Sequence, residues 1–270
     1  MITSGIRFVR LPVLLRVLIY LGVNYLLIFL VQVITGFLHL KGEVVFNPIL
    51  GVALLIFTRF ILTIEGKSFK DIGCVTGNRQ DNLYLLSGTM AGGLMLVISA
   101  LSMQLLTGFH WVNNPGFRWY EVLTSFVTVF SSVFVQELAF RGYTFRLMLD
   151  KWGEWPAQLV TALLFGCMHI NEGMHVNEIL LAILNTGAGS LLFGLAVIKT
   201  KRLHLAVGIH FGWNYAQYLL PRHSSQNGHG ILLVEAGNFD MSIFLWMAPY
   251  LTLMIIAFFV LRFGIKTSRQ

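Results

Sequence analysis

The sequence predicts an all-α, polytopic membrane protein: a bundle of eight transmembrane helices with both termini on the cytoplasmic side. Three observations predict it. Of the 270 residues, 56% are apolar and only 11% charged, whereas soluble domains carry about 25% charged residues. Mean hydropathy is accordingly high, at +0.73. The apolar residues are gathered into runs near the ~20 residues that a helix needs to cross the hydrocarbon core. Lysine and arginine, finally, fall in alternate connections between those runs, as they do in cytoplasmic loops. No linker, charge block, low-complexity tract or internal repeat divides residues 1–270, which are read as one transmembrane domain.

The first run, 11–38, is too long for a signal-peptide core and no small-residue cleavage pattern follows it, so it is expected to remain as a spanning helix. The second, 46–64, carries Arg59 near its cytoplasmic end, where a long side chain can snorkel to the interface. Residues 65–82 form the main polar insert. Phe69, Ile72 and Val75 recur there at helical spacing among charges, which suits either an interfacial helix or an ordinary loop. The third run, 83–107, contains Gly88 and Gly92, a small-xxx-small pattern that permits close helix packing, or else a chance pattern in a glycine-rich helix. The fourth, 119–149, ends in the polar segment 136–142. Trp152 and Trp155 flank the next turn, at interfacial depth. The fifth run (156–170) and the seventh (204–220) are short, and hydropathy alone leaves them open. The sixth covers 178–199 and the eighth 241–263, with Trp246 and Tyr250 as further candidate interface anchors.

Charge resolves the two short runs. With eight helices, one side receives Arg7, Arg10, Arg16, Lys67, Lys70, Arg79, Arg141, Arg146, Lys151, Lys199, Lys201, Arg202, Arg262, Lys266 and Arg269, fifteen of the 19 basic residues. The other side receives Lys41, Arg118 and Arg222. Removing one helix would destroy the alternation downstream. The net charge of +7 is thus that of a membrane protein; nothing resembles a basic nucleic-acid module, and no nucleic-acid partner is expected. Cys74 and Cys167 make no disulfide framework.

Ionisable groups inside a membrane cost at least ~2.5–3.5 kcal/mol each on insertion scales, which makes Gln136, Glu137 and Arg141 the first candidates for function. If the fourth and fifth helices form a hairpin turning at Gly153, Glu137 lies 16 residues before the turn and His169 lies 16 after it. Both then stand roughly 24 Å from the turn and can face each other. His210 and Asn214, spaced i, i+4, share one face of the seventh helix. A carboxylate, two imidazoles and two amides can therefore converge: one group to take a proton from water, others to hold an oxyanion. Glu137, His169 and His210 could equally bind zinc. The plainer readings are a neutralising Glu137–Arg141 pair, hydrogen-bonded packing histidines, and Asn214 as interhelical glue.

Three motifs stand in order on separate helices: Gln136-Glu137-Leu138-Ala139-Phe140-Arg141-Gly142, Phe165-Gly166-Cys167-Met168-His169, and His210-Phe211-Gly212-Trp213-Asn214. Over residues 119–220 the chain resembles the CAAX protease and bacteriocin-processing family of intramembrane endopeptidases. The motifs of that family are Glu-Glu-x-x-x-Arg, Phe-x-x-x-His and His-x-x-x-Asn/Asp. The segment Phe69–Gly73 also resembles an upstream feature of the family. The resemblance implies a hydrolase in a multi-pass setting, expected in a bacterial cell membrane, acting on peptide or prenylated-protein substrates. It implies that the first glutamate of motif one and His169 activate water, that His210 and Asn214 hold the oxyanion, and that Arg141 and Phe165 support them. A metalloprotease role with zinc stays open.

The chain departs from the pattern at Gln136, where the family has its first glutamate, because an amide is no general base near neutral pH. Three readings stand: a natural pseudoprotease acting by binding or regulation, for example in bacteriocin immunity; an introduced, near-isosteric glutamate-to-glutamine replacement; or transfer of the role to Glu137. The last is the least favoured, since Glu137 sits about 100° round the helix and can be held by Arg141. A proton-relaying transporter is a further class, against which stands the lack of repeated halves or paired broken helices.

Overall fold

The computed structural model describes residues 8–40, 42–75, 77–223, 228 and 230–267; Arg7, Lys41 and Arg269 lie outside the described residues. Eight helical rods run through them: α1 Val13–Phe37, α2 Glu43–Ile64, α3 Arg79–Thr107, α4 Tyr120–Trp152, α5 Glu154–Cys167, α6 Val176–Thr200, α7 His204–Leu219 and α8 Ile243–Gly264. Six of the eight are long and apolar enough to cross a membrane by length and composition. The two that are not, α5 and α7, have 14 and 16 residues. They correspond to the two runs that hydropathy left open.

The rods start and stop where local chemistry requires. Asn78 caps α3 by accepting from the Asp81 N–H at 2.8 Å, and Ser242 caps α8 by accepting from Leu245 N–H. Such caps satisfy backbone donors that the helix itself cannot. α4 turns into α5 at Gly153, whose φ of +83° lies in the left-handed region. α4 itself is not uniform: it is α-helical over Tyr120–Glu137, π-helical over Leu138–Thr144 and α-helical again over Phe145–Trp152. Outward-facing side chains are apolar, with Leu105 87% and Phe244 84% exposed, a surface suited to hydrocarbon rather than water.

The closest helix crossing is between α3 and α7. Gly88 and Gly92 on α3 meet Gly208 and Gly212 on α7, backbone against backbone. A Cβ on Gly92 would lie under 3.0 Å from the Ile209 carbonyl oxygen, and one on Gly212 equally close to that of Thr89. The Gly88–Gly92 pattern is therefore a working contact, and its partner glycines on α7 went unread in the sequence.

Other elements differ from expectation. Of the two forms left open for the polar insert, residues 65–75 take the loop, and Ile72 is buried against the π-helical segment at Gly142. A two-stranded antiparallel ladder, β1 His110–Asn113 with β2 Leu232–Glu235, lies outside the predicted all-α pattern. Four-residue strands leave too short a periodicity to detect. Trp246 and Tyr250 do not project outward as anchors: both line an internal cavity, and the Tyr250 hydroxyl donates to the Asn185 carbonyl at 2.6 Å. Cys74 and Cys167 are free, and burial pushes the Cys74 thiol up to about 11.

Overpacking a tight contact costs typically ~1–3 kcal/mol. Gly92→Ala and Gly212→Ala are expected to lower the thermal unfolding midpoint in detergent by several degrees. Gly22→Ala, with nothing within 4 Å of the added carbon, is expected not to lower it. Circular dichroism melts of the three variants measure this.

Candidate active site

The polar residues of α4 are placed by the change of helical pitch. Glu137 is the last residue before the π-helical segment, and Arg141 lies within it. A π turn is rare and concentrates at functional sites. Here the Thr144 hydroxyl donates to the Ala139 and Phe140 carbonyls, both at 2.9 Å, and so satisfies oxygens at the pitch change.

Glu137 and Arg141 are both fully buried. Glu137 Oε1 accepts from Arg141 Nη1 at 3.3 Å and lies 2.8 Å from His210 Nδ1. Arg141 Nη2 donates to Ser190 Oγ at 2.5 Å. The guanidinium lies over the Phe165 ring, 4.3 Å from its centroid, with Phe193 on another side at 5.4 Å. A cation facing aromatic π-clouds is stabilised where water cannot reach it. Glu137, Arg141, Ser190 and His210 thus bind three helices, α4, α6 and α7, through one carboxylate.

His210 is gripped on both sides: its ring stacks on Phe193 at 4.6 Å and meets Phe165 edge-on at 5.9 Å. His169 lies just beyond α5, 4.8 Å from Phe165 between ring centroids, with Nδ1 2.8 Å from the Phe165 carbonyl oxygen. A carbonyl can only accept, so Nδ1 carries the proton and Nε2 of the neutral ring holds the lone pair. Phe165 therefore orients both histidines.

A cavity of about 270 Å³ is lined by His169, His210 and Asn214, together with Asn185, Arg222 and Trp246. Glu137 touches His210 from behind that wall and does not itself line the cavity. Gln136 does not line it either. Its Nε2 donates to Ser132 Oγ at 3.2 Å, and its Oε1 is buried with no partner among the described residues. The expected convergence of five groups in one cavity is thus corrected to three in the wall and one behind it. The reason is angular: adjacent residues point ~100° apart round a helix, and α4 turns Glu137 inward. Ser190, Phe193 and Arg222 went unread; Arg222 sits at the far end of α7, its guanidinium 5.2 Å from the Trp213 ring centroid and bonded to Gln217 and Ser99.

Zinc does not fit these residues. Among the described residues no three His, Cys, Asp or Glu side chains are grouped to hold a metal. The oxygen of Glu137 that would face His210 and a shared ion is already shared with a guanidinium, whose positive charge opposes a second cation there.

Breaking a buried ion pair from one side costs ~3–5 kcal/mol because it strands the other charge. Arg141→Met is expected to destabilise by about that much, and Glu137→Gln on the Arg141→Met background to recover part of the loss. Thermal unfolding of the two single variants and the double variant, run as a double-mutant cycle, measures the coupling.

A comparison with protein-family models matches residues 118–216 to the family described as Rce1-like, type II CAAX prenyl endopeptidase. No curated protein and no solved structure matches the chain. The matched stretch begins just before α4 and ends within α7. It contains all three motifs and every contact between Glu137, Arg141, His169 and His210 described above. Over residues 118–216 the chain is thus similar to the Rce1-like CAAX prenyl endopeptidase family.

Proposed function

We propose that this protein is an intramembrane endopeptidase of the CAAX type that hydrolyses prenylated or leader-bearing peptides at the membrane of a bacterial cell. The observation that carries the reading is the Glu137–His210 contact of 2.8 Å in the wall of a cavity shared with His169 and Asn214. In this reading His169 Nε2 takes a proton from a cavity water, and the water oxygen adds to the scissile carbonyl carbon. Glu137 accepts from His210 Nδ1–H and sets that ring. His210 and the Asn214 amide are then the pair that holds the oxyanion. The proton held by His169 passes to the leaving nitrogen as the C–N bond breaks. Arg141 balances the charge of Glu137, and Phe165 sets both rings. All eight rods are taken to traverse the bilayer, with both termini cytoplasmic, on the strength of the lysine and arginine distribution.

Gln136 favours a second reading, a pseudoprotease acting by binding or regulation. It stands where the family has its first glutamate, and Glu137 is already paired with Arg141. The two readings separate in a cleavage assay on purified protein with prenylated CAAX peptides and leader-bearing peptides. On the endopeptidase reading the native chain cleaves measurably. Gln136→Glu, which restores the carboxylate of the family motif, raises the rate. His169→Ala and His210→Ala abolish cleavage in both backgrounds. Absence of cleavage by the native chain and by Gln136→Glu, with both folded, would leave only the binding reading.

A further inference from the structure

A second cavity, of about 1000 Å³, lies at the other end of α7, between the turns of 65–75, the C-terminal part of α4 and the α6–α7 connection. Its walls carry five cations, Lys67, Lys70, Arg146, Lys201 and Arg202, against three carboxylates, Asp71, Asp81 and Asp150. Half of these charges are already engaged. Arg202 pairs with Asp81 at 3.5 Å, Lys67 with Glu65 at 3.5 Å, and Asp71 accepts from the Ser68 N–H and hydroxyl.

Arg146, with Asp150 as its neighbouring opposite charge, is the buried one among the rest. It is only 8% exposed, and its Nε and Nη2 are buried with no hydrogen-bonding partner among the described residues. The other deeply buried arginines differ: Arg141 is paired with Glu137, and Arg16 with Glu65 and the Tyr143 hydroxyl. A guanidinium taken out of water without hydrogen bonds costs several kcal/mol, and the cost is removed by an anion that fills the fork. Gly73 packs closely beside that fork, against the Lys201 carbonyl and the Arg146 guanidinium. It holds φ at +68°, and a Cβ there would come to 3.0 Å of Arg146 Nη2.

We propose that this cavity is a binding site for a phosphate-bearing anion seated bidentately on Arg146, with Lys70 and Lys201 at the rim. A guanidinium fork matches two phosphate oxygens, and the excess of cations over carboxylates suits a singly or doubly charged ligand. Two sources carry this chemistry: the phosphodiester of an anionic lipid headgroup and soluble phosphate. The site is distinct from the His169–His210 cavity and does not depend on whether the chain cleaves peptides. It gives a role to the Phe69–Gly73 segment, whose Lys70, Asp71 and Ile72 line it.

The test uses the full chain in a neutral detergent. Dissociation constants are measured for dioleoylphosphatidylglycerol by native mass spectrometry, with dioleoylglycerol as the uncharged control, and for inorganic phosphate by calorimetry. Binding of phosphatidylglycerol but not dioleoylglycerol, weakened at least about tenfold in Arg146→Gln and reduced by salt, supports the site with a lipid headgroup as source. Binding of phosphate alone with the same dependence supports it with a soluble source. If Arg146→Gln does not fold, the Lys70→Gln/Lys201→Gln double variant replaces it and is expected to weaken binding about fivefold or more. Failure of both probes to bind the native chain, or affinity unchanged in the folded variants, overturns the proposal.

Discussion

A carboxylate buried without water needs its charge answered close by, and in this bundle Glu137 is answered from two directions. Arg141 supplies the opposite charge from the same rod, and His210 supplies a ring nitrogen from α7. Arg141 needs further support of its own, because a guanidinium presents five N–H groups. Ser190 takes one, and the faces of Phe165 and Phe193 cover the plane. One buried charge thereby dictates the side chains of α4, α5, α6 and α7 around it. The same two phenylalanines also clamp His210, so neutralising the charge and aiming the imidazole are one construction.

That construction works only if α7 is held in register, and the α3–α7 crossing holds it. Four glycines bring the two backbones together too closely for any side chain between them. Without a hydrophobic drive between helices in lipid, such close packing is the main source of association. It ties the short helix α7 to the longer α3, which has the length and hydropathy of a membrane span. The two cavities then lie towards opposite ends of α7 with different chemistry. One is walled by imidazoles, amides and aromatic rings; the other is walled by lysines, arginines and aspartates.

Much of this was legible in residue order. The eight apolar runs coincide with the eight rods to within a few residues, since a helix in lipid must be both apolar and long. Glu137, Arg141, His169, His210 and Asn214 were singled out because polar groups are rare on such helices and their spacing is visible, and Phe165 only because the resemblance to the family implies it. The ladder of β1 and β2 was not legible, since its two halves are far apart in sequence. Nor was the inward turn of Trp246 and Tyr250: an amphipathic ring suits an interface and a cavity wall equally well. Gln136 was set beside Glu137 by sequence, but the two side chains go different ways, one to Ser132 and one to His210.

The sequence by itself determined the membrane class, the order of the rods, the family-like motifs and the amide at position 136. These follow from composition, periodicity and spacing, which are properties of the chain as a line. Only the tertiary structure decided which nitrogen Glu137 meets, that Phe165 orients two histidines, that Gly208 and Gly212 answer Gly88 and Gly92, and that Arg146 is buried with Nε and Nη2 unbonded among the described residues. Each of these depends on the rotation of one helix about its axis relative to its neighbours. Packing against those neighbours sets that rotation, and no single helix encodes it alone.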